Sequence, residues 1–320
     1  MQRDIVFSAE WDDRAAELRG DAKALRTLRA DAATRVLPVW RGRPLVAGTG
    51  QGALGWVPPG HAVLAQAKDD WILLGRHDGA VRFAADMSGW RPENLDQTAM
   101  AAFYDPTEYH HPDAPDDHLF AELRAVMTRL CPADAAMAST ARGVLNWHRS
   151  HRFCSRCGQP SQISMAGWQR VCPSCSASHF PRTDPVVIML VLRGNKLLLG
   201  RSPGWPEGMY SALAGFVEPG ESLEAAVRRE VYEETRITVS CVRYVAGQPW
   251  AWPNSLMLGF VAQAENDDIT IDPAELDDAL WLTREEMVDV MAGLHPTIRR
   301  PRSGAIAAEL VARWLAGTLF

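Results

Sequence analysis

The chain has 320 residues, 47% of them apolar and 22% charged. That is enough material for two globular units and too much hydrophobicity for a disordered chain. A net charge of −6 argues against a long nucleic-acid duplex as the primary partner, because sequence-independent duplex binding needs a basic surface. The opening segment carries Asp4, Glu10, Asp12 and Asp13, with no apolar run longer than Ile5–Phe7, which speaks against a secretory signal. The longest apolar run, Val186–Leu192, is too short to span a bilayer. A cytosolic protein with no membrane partner is expected.

From Arg35 to Ala84 the sequence predicts short strands: Val36–Trp40, a turn at Arg41–Pro44, then Leu45–Ala47. A second hairpin pairs Trp71–Leu74 with Val81–Ala84 around His77-Asp78-Gly79. This unit reads as α+β without a catalytic signature. Pro, Asp, Asn and His dominate between Met87 and Pro115, so that stretch reads as a loop or linker with His110 and His111 exposed. Helical spacing over Leu119–Leu130 and Ala135–His148 leads to a boundary near residue 150, giving an N-terminal domain over 1–150.

Cys154-Ser-Arg-Cys157 and Cys172-Pro-Ser-Cys175 are two C-x2-C pairs separated by fourteen residues. In a reducing compartment that spacing points to a zinc site, with two redox pairs or incidental buried cysteines as the alternative. With all four positions sulfur, no coordination site is left open, so one Zn²⁺ per chain would be structural. A zinc ribbon over 151–181 follows. Cys131 and Cys241 have no such partners and are expected to be small buried hydrophobes.

The remainder, 182–320, begins with a hairpin of Val186–Leu192 and Leu197–Leu199 around Arg193–Lys196. Next comes Gly215-Phe-Val-Glu-Pro-Gly-Glu221, then a helix that Ser222 can cap, running through Leu223, Val227 and Val231 towards Ile237. Glu230, Glu233 and Glu234 stand at i, i+3 and i+4 on it, three carboxylates within about one turn. They repel unless a hard cation such as Mg²⁺ or Mn²⁺ joins them, or unless they form a solvated face balanced by Arg228 and Arg229.

Gly215–Ile237 resembles the Nudix box, G-x5-E-x7-R-E-U-x-E-E-x-G-U, matching at Gly215, Glu221, Arg229, Glu230, Val231, Glu233, Glu234 and Ile237. Arg236 departs from it, standing where the motif has glycine. Downstream, Gly247-Gln-Pro-Trp-Ala-Trp-Pro-Asn-Ser255 is similar to the S-Q-P-W-P-F-P-x-S array of the NADH pyrophosphatase branch, matching at Gln248, Pro249, Trp250, Pro253 and Ser255. The zinc ribbon, His179–Pro185 and Ser303–Ala307 extend that resemblance over most of 140–310, and Leu37–Leu45 carries it more weakly into the N-terminal part.

The resemblance implies an α+β chain, a Nudix α/β/α sandwich with a mixed sheet, preceded by a zinc ribbon and an N-terminal α+β domain. It implies catalytic metal held by Glu230, Glu234, the carbonyl of Ala214 and Glu275, with Glu233 as a further ligand or the water-activating base. Phe180, Gln248, Pro249, Trp250, Ala251, Trp252, Pro253, Asn254, Ser255 and Ala307 would line the dinucleotide site. Two tryptophans framed by prolines suit base stacking, although tryptophans are more often core residues. The implied reaction is metal-dependent hydrolysis of the pyrophosphate of NADH, NAD⁺ or a related dinucleotide, extending to the NAD cap of an RNA 5′ end, by a homodimer. A catalytically weak nucleotide sensor or zinc-ribbon interaction protein is the reading from another class.

Overall fold

The computed structural model describes residues 5–48, 52–93, 95 and 104–319; Asp4, and Asn94 and 96–103 within the expected linker, lie outside the described residues. No helix among the described residues is long and apolar enough to cross a membrane.

The N-terminal domain is built on six strands: β1 (Arg35–Trp40), β2 (Arg43–Ala47), β3 (Ala53–Leu54), β4 (Ile72–His77), β5 (Ala80–Asp86) and β6 (His118–Phe120). They run in the order β3-β2-β1-β5-β4, with β6 also on β2. The hairpin β1–β2 is antiparallel, β1 lies parallel to β5, and β4 pairs antiparallel with β5. Helix α1 (Ala22–Ala30) starts at Asp21, whose carboxylate accepts from the Lys23 and Ala24 amides. After the short α2 (Leu123–Val126) comes α3 (Pro132–Ser150), with proline in its first turn, where the lost N–H costs nothing. Val144 and Leu145 of α3 join Leu37, Val39, Ile72 and Leu74 on one side of the sheet, while Trp40, Phe83, Trp90 and Phe120 pack on the other.

Three short strands form the ribbon, β7 (Gln162–Ser164), β8 (Gln169–Val171) and β9 (Ser178–His179), paired in that order. The C-terminal domain then adds β10 (Asp184–Arg193), β11 (Lys196–Arg201), β12 (Leu213–Phe216), β13 (Val239–Trp250), β14 (Ser255–Ala264) and β15 (Asp278–Thr283). Their order is β13-β14-β10-β11-β15, with β12 on β10. Helix α4 (Leu223–Thr235) covers one face, burying Val227 and Val231 against Val187 and Met189; α5 (Arg284–Ala292) and α6 (Ile306–Ala316) cover the other. Each such valine contributes about 1.5–3 kcal/mol by leaving water. This is the expected α/β/α sandwich.

The two sheets share a plan. In each, a central strand (β1 or β10) leads through an Arg-Gly turn into an antiparallel partner (β2 or β11) and lies parallel to a strand (β5 or β14). That strand pairs antiparallel with the one before it, and the last strand of each domain (β6 or β15) returns to the hairpin's second strand. Leu54-Gly-Trp-Val-Pro58 follows the first hairpin as Ala214-Gly-Phe-Val-Glu218 follows the second, but Leu54 pairs with β2 whereas Ala214 pairs with β10, and no carboxylate helix comes after it.

Four expectations change. Leu119–Leu130 is not one helix but the end of β6 and the four-residue α2, because Leu119 and Phe120 are taken up by pairing with β2. Cys131 is exposed as the N-cap of α3, its sulfur 3.5 Å from the Asp134 amide, and Cys241 is exposed in the irregular stretch of β13 with φ of 48°. His111 is buried, its ring 4.8 Å from that of Trp90, while His110 is exposed as expected. Arg236 takes the left-handed cap that glycine ordinarily supplies, at φ 59° and ψ 14°, so the end of α4 keeps its shape at a conformational cost. Arg236→Gly should therefore raise stability by about 0.5 kcal/mol, the relief of the left-handed backbone exceeding glycine's entropy cost. Urea denaturation checks this, and a net loss of stability would contradict it.

Candidate active site and metal centres

The acidic site is positioned by α4. Ser222 accepts from the Ala225 amide at 3.2 Å, fixing the first turn, and the buried Val227 and Val231 set the helix rotation. That rotation turns Glu230 and Glu234 inward, where they are 7% and 5% exposed. The C-terminal carbonyls of α4 are satisfied by the following loop: Thr270 N–H donates to Thr235 and Asp272 N–H to Glu234, each at 3.0 Å. This tether, with an Asp272 turn closed by the Ala274 and Glu275 amides, delivers Glu275 from outside the box. One carboxylate oxygen from each of Glu230, Glu234 and Glu275 lies within 4.8 Å of the other two.

Gly215 is required by this packing. A Cβ there would stand 1.9 Å from the Glu230 carboxyl carbon. Arg229 organises the periphery, donating to Glu221 at 2.6 Å, Glu230 at 2.8 Å, Glu233 at 3.1 Å and the Phe216 carbonyl at 2.9 Å. Glu233 is half-exposed and stands outside the trio, so the structure separates it from the cluster that sequence spacing put on one face. Ala214, exposed on β12, is next to Gly215. Burial pushes the Glu230 carboxyl up against the pull of Arg229. Burial, then the charges of Glu230 and Glu275, push Glu234 up to about 8. Two buried acids and a third beside them suit a hard divalent cation.

The four zinc-ribbon thiols are mutually within 4.8 Å, with Cys154–Cys175 at 3.6 Å and Cys157–Cys172 at 3.5 Å. Disulfides need about 2.05 Å, whereas sulfurs around tetrahedral Zn²⁺ sit about 3.8 Å apart. The two knuckles match: the Gly158 and Ser176 amides return to the carbonyls of Cys154 and Cys172 at 2.9 and 2.8 Å, both from left-handed conformations.

The aromatic array lies on the β13–β14 hairpin. Val187 of β10 pairs with Gly215, and Asp184 with Ser255, so the array is offset by three residues, about 10 Å along the strand, from the level of Glu230. Trp250 and Trp252 are half-buried, 4.6 Å apart, and rest on Phe7. The Arg142 guanidinium lies 4.6 Å over Trp252 and donates to the Ala251 carbonyl at 2.8 Å. Pro249, Trp250, Ala251, Asn254 and Ser255 line a cavity of about 240 Å³ together with Phe7 and Trp168, and Pro253 borders a separate groove. Gln248 is different. It has no exposed surface, donates to Val6 and Gly304 carbonyls at 2.9 and 2.8 Å, and accepts from the Ile306 amide at 2.8 Å, capping α6. Ala307, half-buried, follows in that helix. Phe180 is 66% exposed before β10. Sequence reasoning passed over Phe216, 58% exposed beside Gly215; a large apolar residue inside a polar motif was the available signal.

Two consequences can be measured. In metal-free protein, Glu234 keeps its proton to about pH 8 when folded but loses it near the ordinary 4.5 when unfolded. Between those values the unfolded state binds fewer protons, so stability should fall as pH rises from 5 to 8 and recover on adding Mg²⁺ or Mn²⁺; a flat Tm profile would contradict this. Gln248→Leu strands three backbone groups, one buried at Ile306 and two part-buried at Val6 and Gly304, and should cost on the order of 2 kcal/mol in urea denaturation.

Comparisons with known proteins agree with this layout. Residues 33–147 match the NADH pyrophosphatase-like rudimentary NUDIX domain, 149–180 the NADH pyrophosphatase zinc ribbon domain, and 182–302 the NUDIX domain. The duplicated sheet plan is thus a Nudix domain beside a rudimentary one. The NAD-capped RNA hydrolase NudC of Mycobacterium bovis is 35% identical over 97% of this chain and 95% of its own length. Human mitochondrial NAD(P)H pyrophosphatase NUDT13 is 36% identical over 78% of this chain and 73% of its own. The human NAD-capped RNA hydrolase NUDT12 is 44% identical over 59% of this chain, which spans only 43% of that protein. The cysteine quartet is accordingly a structural zinc centre, and the chain belongs to the Nudix hydrolase family, in the branch that joins a rudimentary Nudix domain and a zinc ribbon to the Nudix domain.

Proposed function

We propose that this chain hydrolyses the pyrophosphate bond of NAD(H)-like dinucleotides, giving AMP and nicotinamide mononucleotide, and accepts the same group as an NAD cap on RNA. The observation that carries the proposal is the convergence of Glu230, Glu234 and Glu275, two of them buried, with no cation of the protein's own beside Glu234 among the described residues. The printed activities of the relatives, NAD-capped RNA hydrolase and NAD(P)H pyrophosphatase, support the substrate class.

Mg²⁺ or Mn²⁺ would be held by those three carboxylates and the Ala214 carbonyl, where it would neutralise the diphosphate and acidify water. Glu233, solvent-facing and steered by Arg229, is the proton acceptor in this scheme. The water oxygen adds to one phosphorus as the P–O–P bond breaks, and the proton leaves with Glu233. Phe180 and the hairpin from Pro249 to Ser255, with Ala307, would border the nucleosides, while Gln248 acts by holding the hairpin to α6 and the N-terminal segment. Nothing in this scheme calls on the zinc, whose four positions are all sulfur.

The assembly proposed is a cytoplasmic homodimer divided at 1–150, 151–181 and 182–320. The exposed rings of Phe180 and Tyr244, 66% and 56% accessible, offer apolar surface for a second copy. Incubation with NADH, NAD⁺ and an NAD-capped RNA, with Mg²⁺ or Mn²⁺ and with EDTA, and product identification by mass, tests the reaction. AMP and nicotinamide mononucleotide, abolished by EDTA, are expected; no cleavage of any of the three would favour a nucleotide sensor. Glu233→Gln should lower kcat by about 10²–10⁴-fold with the fold intact, and wild-type turnover in that variant would remove it from the mechanism.

A further inference from the structure

Among the described residues the Glu275 side chain has no hydrogen bond or ion pair of its own, so its place in the acidic trio is set by the backbone that carries it. One end of that backbone is fastened to α4 through the Asp272 amide, three positions before Glu275. The other end is fastened three positions after it. There the Asp277 amide donates to the Arg201 carbonyl at 2.8 Å, Asp278 opens β15 opposite Arg201 of β11, and the Asp278 carboxylate accepts from the Tyr210 hydroxyl. Between them Leu276 is buried beside Gly200, where a Cβ would stand 2.7 Å from Leu213 and 3.2 Å from Leu276.

Tyr210 comes from the opposite side of β11. Its neighbour Ser211 exchanges backbone hydrogen bonds with Gly200 at 2.9 and 3.0 Å, after which the chain enters β12 and reaches Ala214, four positions beyond Tyr210. Tyr210 and Asp278 therefore flank β11, and their bond joins the two segments that carry Ala214 and Glu275, the proposed ligands from outside α4. Burial, then Asp278, pushes the Tyr210 hydroxyl up to about 12, so it remains a donor at neutral pH. Holding β15 to the sheet does not require this bond, because β11 and β15 already pair from Lys196↔Thr283 to Arg201↔Asp278. What it adds is a fixed span between two ligand-bearing segments. Mg²⁺ takes oxygens at about 2.0–2.1 Å in near-octahedral geometry, so a small drift of either segment is felt as lost affinity.

We propose that Tyr210 and Asp278 are positioning residues for the divalent cation, their hydrogen bond setting Ala214 and Glu275 against Glu230 and Glu234. The proposal rests on the cation reading of the acidic trio, and its test reads the metal directly. Mn²⁺ binding to the zinc-loaded full chain is followed by the EPR signal of the free ion, beside the Mn²⁺ dependence of NADH hydrolysis. Tyr210→Phe, which removes one oxygen, should weaken Mn²⁺ binding about 10-fold and raise the Mn²⁺ concentration for half-maximal hydrolysis by the same factor. Its kcat at saturating Mn²⁺ should stay within about twofold of wild type, since no group that touches substrate is changed. Asp278→Ala should match it, the double variant should be no weaker than either single one, and Asp278→Asn, which still accepts from the hydroxyl, should retain wild-type affinity. Wild-type Mn²⁺ affinity in Tyr210→Phe, additive losses in the double variant, or a lowered Tm with unchanged metal dependence would overturn the proposal. Mn²⁺ affinity that survives Glu275→Gln would instead overturn the cation reading on which it stands.

Discussion

The mutual repulsion of Glu230, Glu234 and Glu275 is the constraint around which the C-terminal domain is arranged. Two of the three are removed from water by the packing of α4 on the sheet, and the third is brought in by a loop that satisfies the open carbonyls of that helix. Arg229 relieves Glu230 but does not reach Glu234, whose carboxyl is left to burial and to its acidic neighbours. An arrangement that costs stability in isolation would recover it if a divalent cation joined the three carboxylates, as proposed above. Gly215 belongs to the same constraint, because any side chain there would occupy the space of the Glu230 carboxyl.

The N-terminal domain repeats the strand plan, and among its described residues there is no counterpart of the Glu230–Glu234–Glu275 cluster; what it supplies to the other domain is a set of contacts on the aromatic hairpin. Phe7 supports both tryptophans, Arg142 holds the hairpin through Ala251, and Glu122 accepts from the Trp252 indole at 3.2 Å. Gln248 ties the same hairpin to Val6 and to the start of α6. The aromatic array is therefore a joint between domains as well as a border of the proposed nucleotide site, a double role that fits its mixture of rigid, aromatic and buried polar residues.

Much of this was legible in the residues. Period-two runs located the hairpins, and cysteine spacing located the zinc centre, because both signals are local. The Glu230–Glu234 pair was legible from helical spacing, whereas the exclusion of Glu233 depends on which face Val227 and Val231 bury. Gln248 looked like a binding residue because its neighbours do; its burial is a tertiary fact. The same holds for His111, drawn into a cluster of rings, and for Cys131 and Cys241, held at the surface by a helix cap and an irregular strand. The repeated sheet plan left a trace in the two Arg-Gly turns and in Leu54–Pro58, too short to read before the strand pairings were known.

The reaction proposed for this chain requires Glu230, Glu234 and Glu275 together to hold a divalent cation. Anomalous diffraction from a crystal grown with Mn²⁺ tests it most directly. An anomalous peak coordinated by oxygens of all three glutamates is expected, apart from the zinc peak at the four cysteines. Manganese absent from that cluster, or bound at Glu233 without Glu234, would contradict it.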